Sequence, residues 1–306
     1  MASTPIASVI MAVYNGSEFI DRAITSVLNQ TESNFELIIV NDGSTDNTKE
    51  IVERFTDERI KFYETKTNNG ISQARNIGLA HCTGDYIFIL DSDDEMLPDR
   101  IEEQSNFLIK NKNIHICGSH VEKVIDGKNV LMRYPNDDSI IKSRLLSING
   151  SALIDPSTCM RKAFIANNYI NYPGAMTDMD HELWWNCTKS GAHFGICEKL
   201  LIRYHRHGKN ITSENSPEFK SHINNKSNLR RQIILGYFPN LTAKEANAVA
   251  NLMNPLFKHN KNSIQEAIKS IWKCYQEDNT YYGENKNACH GILSKYEAAA
   301  LNTLKN

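Results

Sequence analysis

The densest chemistry in the sequence is Asp91-Ser92-Asp93-Asp94-Glu95, four carboxylates in five positions directly after the apolar run Tyr86-Ile87-Phe88-Ile89-Leu90. That much negative charge at the end of a buried strand is costly unless a cation neutralises it. Oxygen donors of this kind suit a hard divalent ion, Mn2+ or Mg2+. A solvated acidic turn capping the next helix would account for Asp94 and Glu95. A calcium-binding EF-hand loop is excluded: counted from Asp91, its sixth position requires Gly and holds Met96, with Pro98 two residues later.

Other polar residues follow the same logic. Asp42, in Asn41-Asp42-Gly43-Ser44, either receives an imide or ribose donor or closes an Asx turn. Tyr14-Asn15-Gly16 offers an aromatic face and main-chain amides to a nucleotide, or simply ends a strand. Asn68 to Asn76 begins as a loop and becomes a helix, placing Arg75 one turn inside, where it meets phosphate, a site carboxylate or a surface ion-pair partner. Tyr204-His205-Arg206-His207-Gly208-Lys209-Asn210-Ile211-Thr212 carries two imidazoles, a reasonable ligand type for Mn2+ beside carboxylates, and Arg206 and Lys209 suit phosphate. The plain alternative there is a solvated basic loop.

Positioning these residues requires strands. Residues 8–13 form a continuous apolar, β-branched run that reads as a strand buried on both faces. Phe19, Ile20, Ala23, Ile24, Val27 and Leu28 follow at helical spacing. Residues 35–40 make a second buried strand, Asp46 to Phe55 a helix with Asp46 as N-cap, 60–63 a third strand, 72–80 a helix and 86–90 a fourth strand. Four alternations within about ninety residues predict a mostly parallel sheet covered by helices, with ligands at the carboxyl ends of its strands. Beyond 99 the pattern loosens: a helix to about 110, strand candidates at 114–119 and 121–125, an aromatic helix at 181–190, a strand near 197–204, and helical patterns at 226–236, 243–257 and 262–276.

The 306 residues are 41 % hydrophobic and 23 % charged, which excludes a disordered tail or a disulfide miniprotein and allows one large domain with an appendage. Seven cysteines, an odd number with no CxxC pair, argue against a disulfide framework or a zinc ribbon and suit a reducing cytoplasm. No apolar stretch approaches the ~20 residues of a spanning helix, and the N-terminus lacks a basic n-region, so any membrane role is expected to be peripheral. A net charge of -2 speaks against nucleic acid as a partner. The charge is uneven: residues 219–306 hold 12 Lys and Arg against 6 Asp and Glu, a basic back behind an acidic front.

Taken in order, these motifs resemble glycosyltransferase family 2, of GT-A fold, strongly over residues 6–100 and more thinly to about 213. The residues that carry the likeness are Ser8 to Asn15, Val40-Asn41-Asp42-Gly43-Ser44-Thr45-Asp46, Asn69-Gly70 through Ala74-Arg75-Asn76-Ile77-Gly78, and Gly84-Asp85-Tyr86 leading to Asp91-Ser92-Asp93-Asp94. The resemblance implies a GT-A catalytic domain at 1–218 (a nucleotide-binding half, 1–100, and an acceptor-binding half, 101–218) and a basic helical extension at 219–306. It implies a UDP-sugar donor, with Asp42 at uracil, Asp91 at ribose or metal-bound water, and Asp93 on a Mn2+ or Mg2+ ion that bridges the diphosphate. Ala12, Tyr14, Asn15, Asn69, Gly70, Arg75 and Ser92 would line or support that donor site. His207 fits the position of an added metal ligand, with His205 as the spare. The base that takes the acceptor proton precedes an aromatic helix in the family, and Asp178-Met179-Asp180-His181-Glu182-Leu183-Trp184-Trp185 is similar to that segment. Spacing to Trp184 matches Asp180; Met179 replaces the usual acid before it, so Asp178 and Glu182 stay open. Asp155-Pro156-Ser157-Thr158-Cys159-Met160-Arg161 resembles the wall beside donor sugar and acceptor in bacterial lipooligosaccharide and O-antigen transferases.

The resulting expectation is an inverting, metal-dependent transfer of a hexose or N-acetylhexosamine to an oligosaccharide or lipid-linked glycan, at the inner face of the plasma membrane or in the cytoplasm. A nucleotidylyltransferase would open with a Gly-rich phosphate loop, and residues 8–20 hold only Gly16. A dinucleotide-binding oxidoreductase would need G-x-G-x-x-G, and a P-loop enzyme G-K-[ST]. A non-catalytic sugar-nucleotide scaffold would keep Asp42 and Asp91 and need no base. In the tail, Leu229, Ile233, Ile234, Tyr237, Ala246, Val249, Ala250 and Met253 fall at helical spacing, either to pack on the catalytic domain or a second subunit, as in a homodimer, or to lie on anionic lipid.

Overall fold

The computed structural model describes residues 5–147, 152–174, 179–207, 219–254 and 257–305. Along the chain run β1 (Ala7–Val13), α1 (Ile20–Leu28), β2 (Phe35–Asn41), α2 (Thr48–Val52), β3 (Ile60–Glu64), α3 (Ile71–His81), β4 (Tyr86–Ile89), β5 (Glu95–Met96), α4 (Arg100–Lys110), β6 (Ile116–Ile125), β7 (Lys128–Met132), α5 (Asp138–Ser143), β8 (Cys159–Arg161), α6 (Lys162–Asn167), α7 (Met179–Lys189), β9 (Phe194–Arg206), α8 (Phe219–Tyr237), α9 (Ala243–Leu252), α10 (Lys261–Cys274) and α11 (Lys286–Lys305). Two compact units emerge. The first comprises Met1–Asn136, Leu153–Met179 and Ala192–His207, and the second Asp137–Ala152, Asp180–Gly191 and Gly208–Asn306.

The first unit holds the whole sheet, in the order β3-β2-β1-β4-β8-β6-β9-β5, with β7 paired to β6. β1 lies between β2 and β4 and is parallel to both, and β3 is parallel to β2. Every residue of β1 and β2 is buried, as their unbroken apolar runs require. β8 runs antiparallel between β4 and β6, so the sheet becomes mixed where the strand-helix alternation fades. The two strand candidates at 114–125 are one strand, β6, with register shifts between Ser119 and Val121 where it pairs with β9. α2 starts later than its sequence suggests. Its cap position is Asn47, without a side-chain cap bond, while the Asp46 carboxylate accepts from Thr48 N at 3.0 Å and Ser17 N at 3.1 Å. Asp46 thus ties the helix entry to the loop after β1.

The second unit is helical. Thr242 and Glu245 close a capping box on α9, and Asn260 and Ser263 one on α10. Leu229, Ile233, Ile234 and Tyr237 of α8 and Ala246, Val249, Ala250 and Met253 at α9 are all buried. All seven cysteines are free and buried. Among the described residues no helix is long and apolar enough to cross a membrane.

Candidate active site

Parallel strands that end at one edge bring their following loops together. The loops after β1, β2 and β4 are therefore neighbours. Asn15, at φ 52°, donates its N–H to Ser44 Oγ at 2.9 Å, and its Oδ1 accepts from Thr45 N at 2.8 Å. Gly16 N donates to Thr48 Oγ1 at 2.9 Å. A Cβ at Gly16 would sit 3.4 Å from Ser92 Oγ, so the β4 loop closes on the same spot. Ala12 is buried beside this edge and Tyr14 is 47 % exposed.

Asp42 is 2 % exposed. Its carboxylate accepts from Asn69 N at 2.9 Å, Gly70 N at 2.7 Å and Thr65 Oγ1 at 2.8 Å, which pins the loop before α3 to the end of β2. The turn bond beside it belongs to Asn41, whose Oδ1 accepts from Ser44 N at 3.2 Å.

Arg75 lies one turn inside α3, 2 % exposed, and reaches two carboxylates: Asp91, which faces the site, and Asp155, which is buried. The Tyr172 hydroxyl donates to Asp155 Oδ1 at 3.2 Å, and the Tyr172 ring centroid lies 5.1 Å from the Arg75 guanidinium. Burial pulls the guanidinium down, but Asp155 and Asp91 outweigh it, so Arg75 holds its proton above the ordinary arginine value. Two anions and one cation leave this group with one net negative charge. The sequence gives Asp155 only as part of a wall motif, and Tyr172 has no local signal: a tyrosine in an irregular stretch gains its role only when the fold brings it and Asp155 against Arg75 of α3.

The acidic loop converges. Asp91, Asp93 and Asp94 each present a carboxylate oxygen, all within 4.8 Å of one another. His207 Nε2 lies 3.0 Å from Asp93 Oδ2, and its ring stacks on Phe19, at the N-cap of α1, at 4.5 Å and 14°. Arg22 donates to the Asp93 carbonyl at 2.6 Å. Asp94 Oδ1 accepts from His205 N at 2.8 Å, while its buried Oδ2 has no hydrogen-bond partner among the described residues. The spare histidine is engaged elsewhere: His205 Nε2 lies 2.7 Å from Glu95 Oε1. Burial and the Asp91 charge push Asp93 up to about 6. Burial, Asp93 and Asp91 push Asp94 well above the usual carboxylate range. Three crowded acids, one with an orphaned buried oxygen, and an imidazole beside them form a donor set that fits a hard divalent cation.

Asp180 and Glu182 lie in the first turn of α7, where the helix dipole favours negative charge. Asp180 belongs to the second unit. Between the two acids His181 is buried, with Nε2 2.7 Å from the Leu145 carbonyl oxygen. Asp178, and Gly208 to Thr212 with Lys209, lie outside the described residues.

The profile of Glycosyl transferase family 2 matches residues 8–167. An uncharacterized glycosyltransferase of Haemophilus influenzae is 41 % identical over 128 residues, which are 41 % of this chain and 51 % of that protein, so the match spans about half of the relative's length. The Escherichia coli UDP-Glc:alpha-D-GlcNAc-diphosphoundecaprenol beta-1,3-glucosyltransferase WfgD is 29 % identical over 216 residues, 70 % of this chain and 83 % of that one. Among solved structures, S. aureus TarS 1-349 in complex with UDP-GlcNAc superposes with a TM-score of 0.63 at 16 % identity, covering 97 % of this chain and 92 % of that one, a likeness of fold. With the profile spanning more than half of the chain over the strands and loops that build the site, the protein belongs to glycosyl transferase family 2 and is a glycosyltransferase.

Proposed function

We propose that this enzyme moves a hexose or N-acetylhexosamine from a UDP-sugar to a glycan acceptor, with inversion and with a divalent metal, in the assembly of a bacterial surface polysaccharide or lipooligosaccharide. The observation that carries this reading is the convergence of Asp91, Asp93, Asp94 and His207 at the carboxyl edge beside Asp42 and Arg75. The UDP-GlcNAc complex of TarS and the UDP-glucose donor in the name of WfgD support the choice of donor.

In this reading Asp42, with Asn69 and Gly70 held against it, frames the base pocket, and Ala12, Tyr14 and Asn15 supply its floor and aromatic side. Asp91, fixed by Arg75, meets the ribose side, with Ser92 beside it. Asp93 and His207 would hold Mn2+ or Mg2+, which when bound neutralises the charge that grows on the departing diphosphate. Asp180 accepts the proton of the acceptor hydroxyl. The hydroxyl oxygen bonds to the anomeric carbon as the bond from that carbon to the diphosphate breaks, and an α-linked donor yields a β-glycoside. Glu182, in the same helical turn, is the alternative base.

The test is UDP release from a panel of UDP-sugars with Mn2+ and with EDTA, followed by linkage analysis of the product. UDP release with one donor, lost in EDTA, is expected; full activity in EDTA would remove the metal from the reading.

A further inference from the structure

Beside the stripe of Ile20, Ala23, Ile24 and Val27 that α1 buries runs a second stripe, which faces the acidic loop. Phe19, Arg22, Ser26 and Gln30 follow one another at intervals of three or four residues, the spacing that stacks side chains along one side of a helix. Each of them touches residues 93–97 or His207. The Phe19 ring stacks on His207, and Arg22 donates to the Asp93 carbonyl at 2.6 Å. Ser26 Oγ accepts from Met96 N at 3.1 Å, and Gln30 Nε2, just past the helix, donates to the Leu97 carbonyl at 2.8 Å. Successive turns of α1 thus grip the main chain that carries the acids.

Arg22 is itself held. Its Nε lies 3.3 Å from Glu95 Oε1, the oxygen that His205 Nε2 approaches to 2.7 Å, and Arg203 Nη1 lies 3.6 Å from the other Glu95 oxygen. Glu95 and Arg203 are partners across β5 and β9, so the strand that leads into His207 also anchors Arg22. Asp93 and His207 are 114 residues apart in the chain and come from different elements. What they share is α1, with Arg22 on the main chain of one and Phe19 against the ring of the other, one helical turn apart. By charge alone Arg22 hinders a divalent ion, because like charges repel. Its bond to Asp93 acts in the opposite sense, by fixing the loop that presents the carboxylate.

We propose that Arg22 and Phe19 are positioning residues of the divalent-cation site, with α1 as the rail that holds Asp93 and His207 at their mutual spacing. The proposal rests on the metal-dependent reading above and adds which residues set the ligands. Groups that orient metal ligands govern affinity without touching the ion.

Mn2+ binding to the full chain, followed by electron paramagnetic resonance, is compared for wild type, Arg22→Ala, Arg22→Lys, Phe19→Ala and Phe19→Tyr, with urea titrations to check folding. The two alanine variants are expected to bind Mn2+ about 10–100-fold more weakly. Arg22→Lys and Phe19→Tyr, which keep a donor and a ring, should recover most of that loss. Electron spin-echo spectra of bound Mn2+ should show coupling to an imidazole nitrogen in wild type and lose it in Phe19→Ala, a change that lowered stability alone does not produce. Unchanged Mn2+ affinity in a folded alanine variant overturns the role of that residue, and either variant suffices for a decision. Tighter binding by Arg22→Ala also overturns it, because Arg22 would then act only through its charge. Absence of nitrogen coupling in wild type takes His207 off the ion and overturns the part of Phe19. A wild type that binds no Mn2+, alone or with UDP, fails the metal-dependent reading and this proposal together, a result distinct from binding that the variants leave untouched.

Discussion

At Arg75 one guanidinium answers two carboxylates, and its removal would strand Asp155 in the interior. Breaking a buried pair by deleting one partner costs about 3–5 kcal/mol, so Arg75→Met should lower unfolding free energy by roughly that much in a urea titration. Arg75→Lys should restore little of it, because a point charge cannot fork two acceptors. A Met variant within about 0.5 kcal/mol of wild type would show that the group is not held as one unit. At the reaction centre, Asp93→Ala should abolish metal-dependent UDP release and remove Mn2+ binding as read by electron paramagnetic resonance. Asp180→Asn should lower kcat by about 10²–10⁴-fold while UDP affinity stays put, as for loss of a general base; unchanged kcat would move the base to another acid. At this scale Asp42, Asp91 and Asp93 were legible because each follows a strand whose apolar run announces it. The triple grip on Asp42 was not, since Thr65, Asn69 and Gly70 reach it only through the path of a loop.

Among the elements, the loop between β3 and α3 is locked from two sides. Asp42 binds its amides, and Gly43, at φ +71°, lies so close that an added Cβ would sit 2.6 Å from the Thr67 carbonyl carbon. Gly43→Ala combines a left-handed backbone with a main-chain clash, so it should cost about 1–3 kcal/mol and shift residues 65–70. UDP affinity, measured by calorimetry with Mn2+, is expected to fall by about tenfold; unchanged affinity would show that this loop does not shape the base pocket. The elements most readable in advance, β1, β2, β4 and α1, have both the apolar period and the burial to match. β5, two residues long, and β7, exposed along its length, carry no such period, because they exist by pairing with β9 and β6. α11 was likewise missed: Lys286–Lys305 is polar over much of its length, and its buried Cys289, Leu293 and Ala300 make too sparse a stripe.

For the molecule as a whole, buried ionisable groups link stability to pH. Burial holds the His181 imidazole below its ordinary value of 6.5, so the folded state disfavours its proton. Its contribution is therefore intact above about 6.5 and is lost as pH falls below that value. Relative to wild type, His181→Gln should flatten the pH dependence of unfolding between pH 7 and 5 by up to about 1.4 kcal/mol per pH unit, one proton's worth; parallel curves would place the acid sensitivity elsewhere. Charge organises the chain at the same scale. The basic excess of residues 219–306 accompanies helices α8 and α9, in which Leu229, Ile233, Ile234, Tyr237, Ala246, Val249 and Ala250 are buried, so those side chains serve packing, while Trp272 of α10 and Leu301 of α11 are exposed. The sequence by itself determined the parallel core, the order of the acidic loops at its carboxyl edge and the family, because apolar periodicity and the residues just after each strand are local properties. The tertiary structure alone decided that Arg75 is a buried fork between Asp91 and Asp155, that His207 meets Asp93 against Phe19, and that residues 137–152 and 180–191 join the tail helices in one compact unit. Those outcomes depend on contacts between residues far apart in the chain, which the burial of the sheet and helices selects and no local pattern encodes.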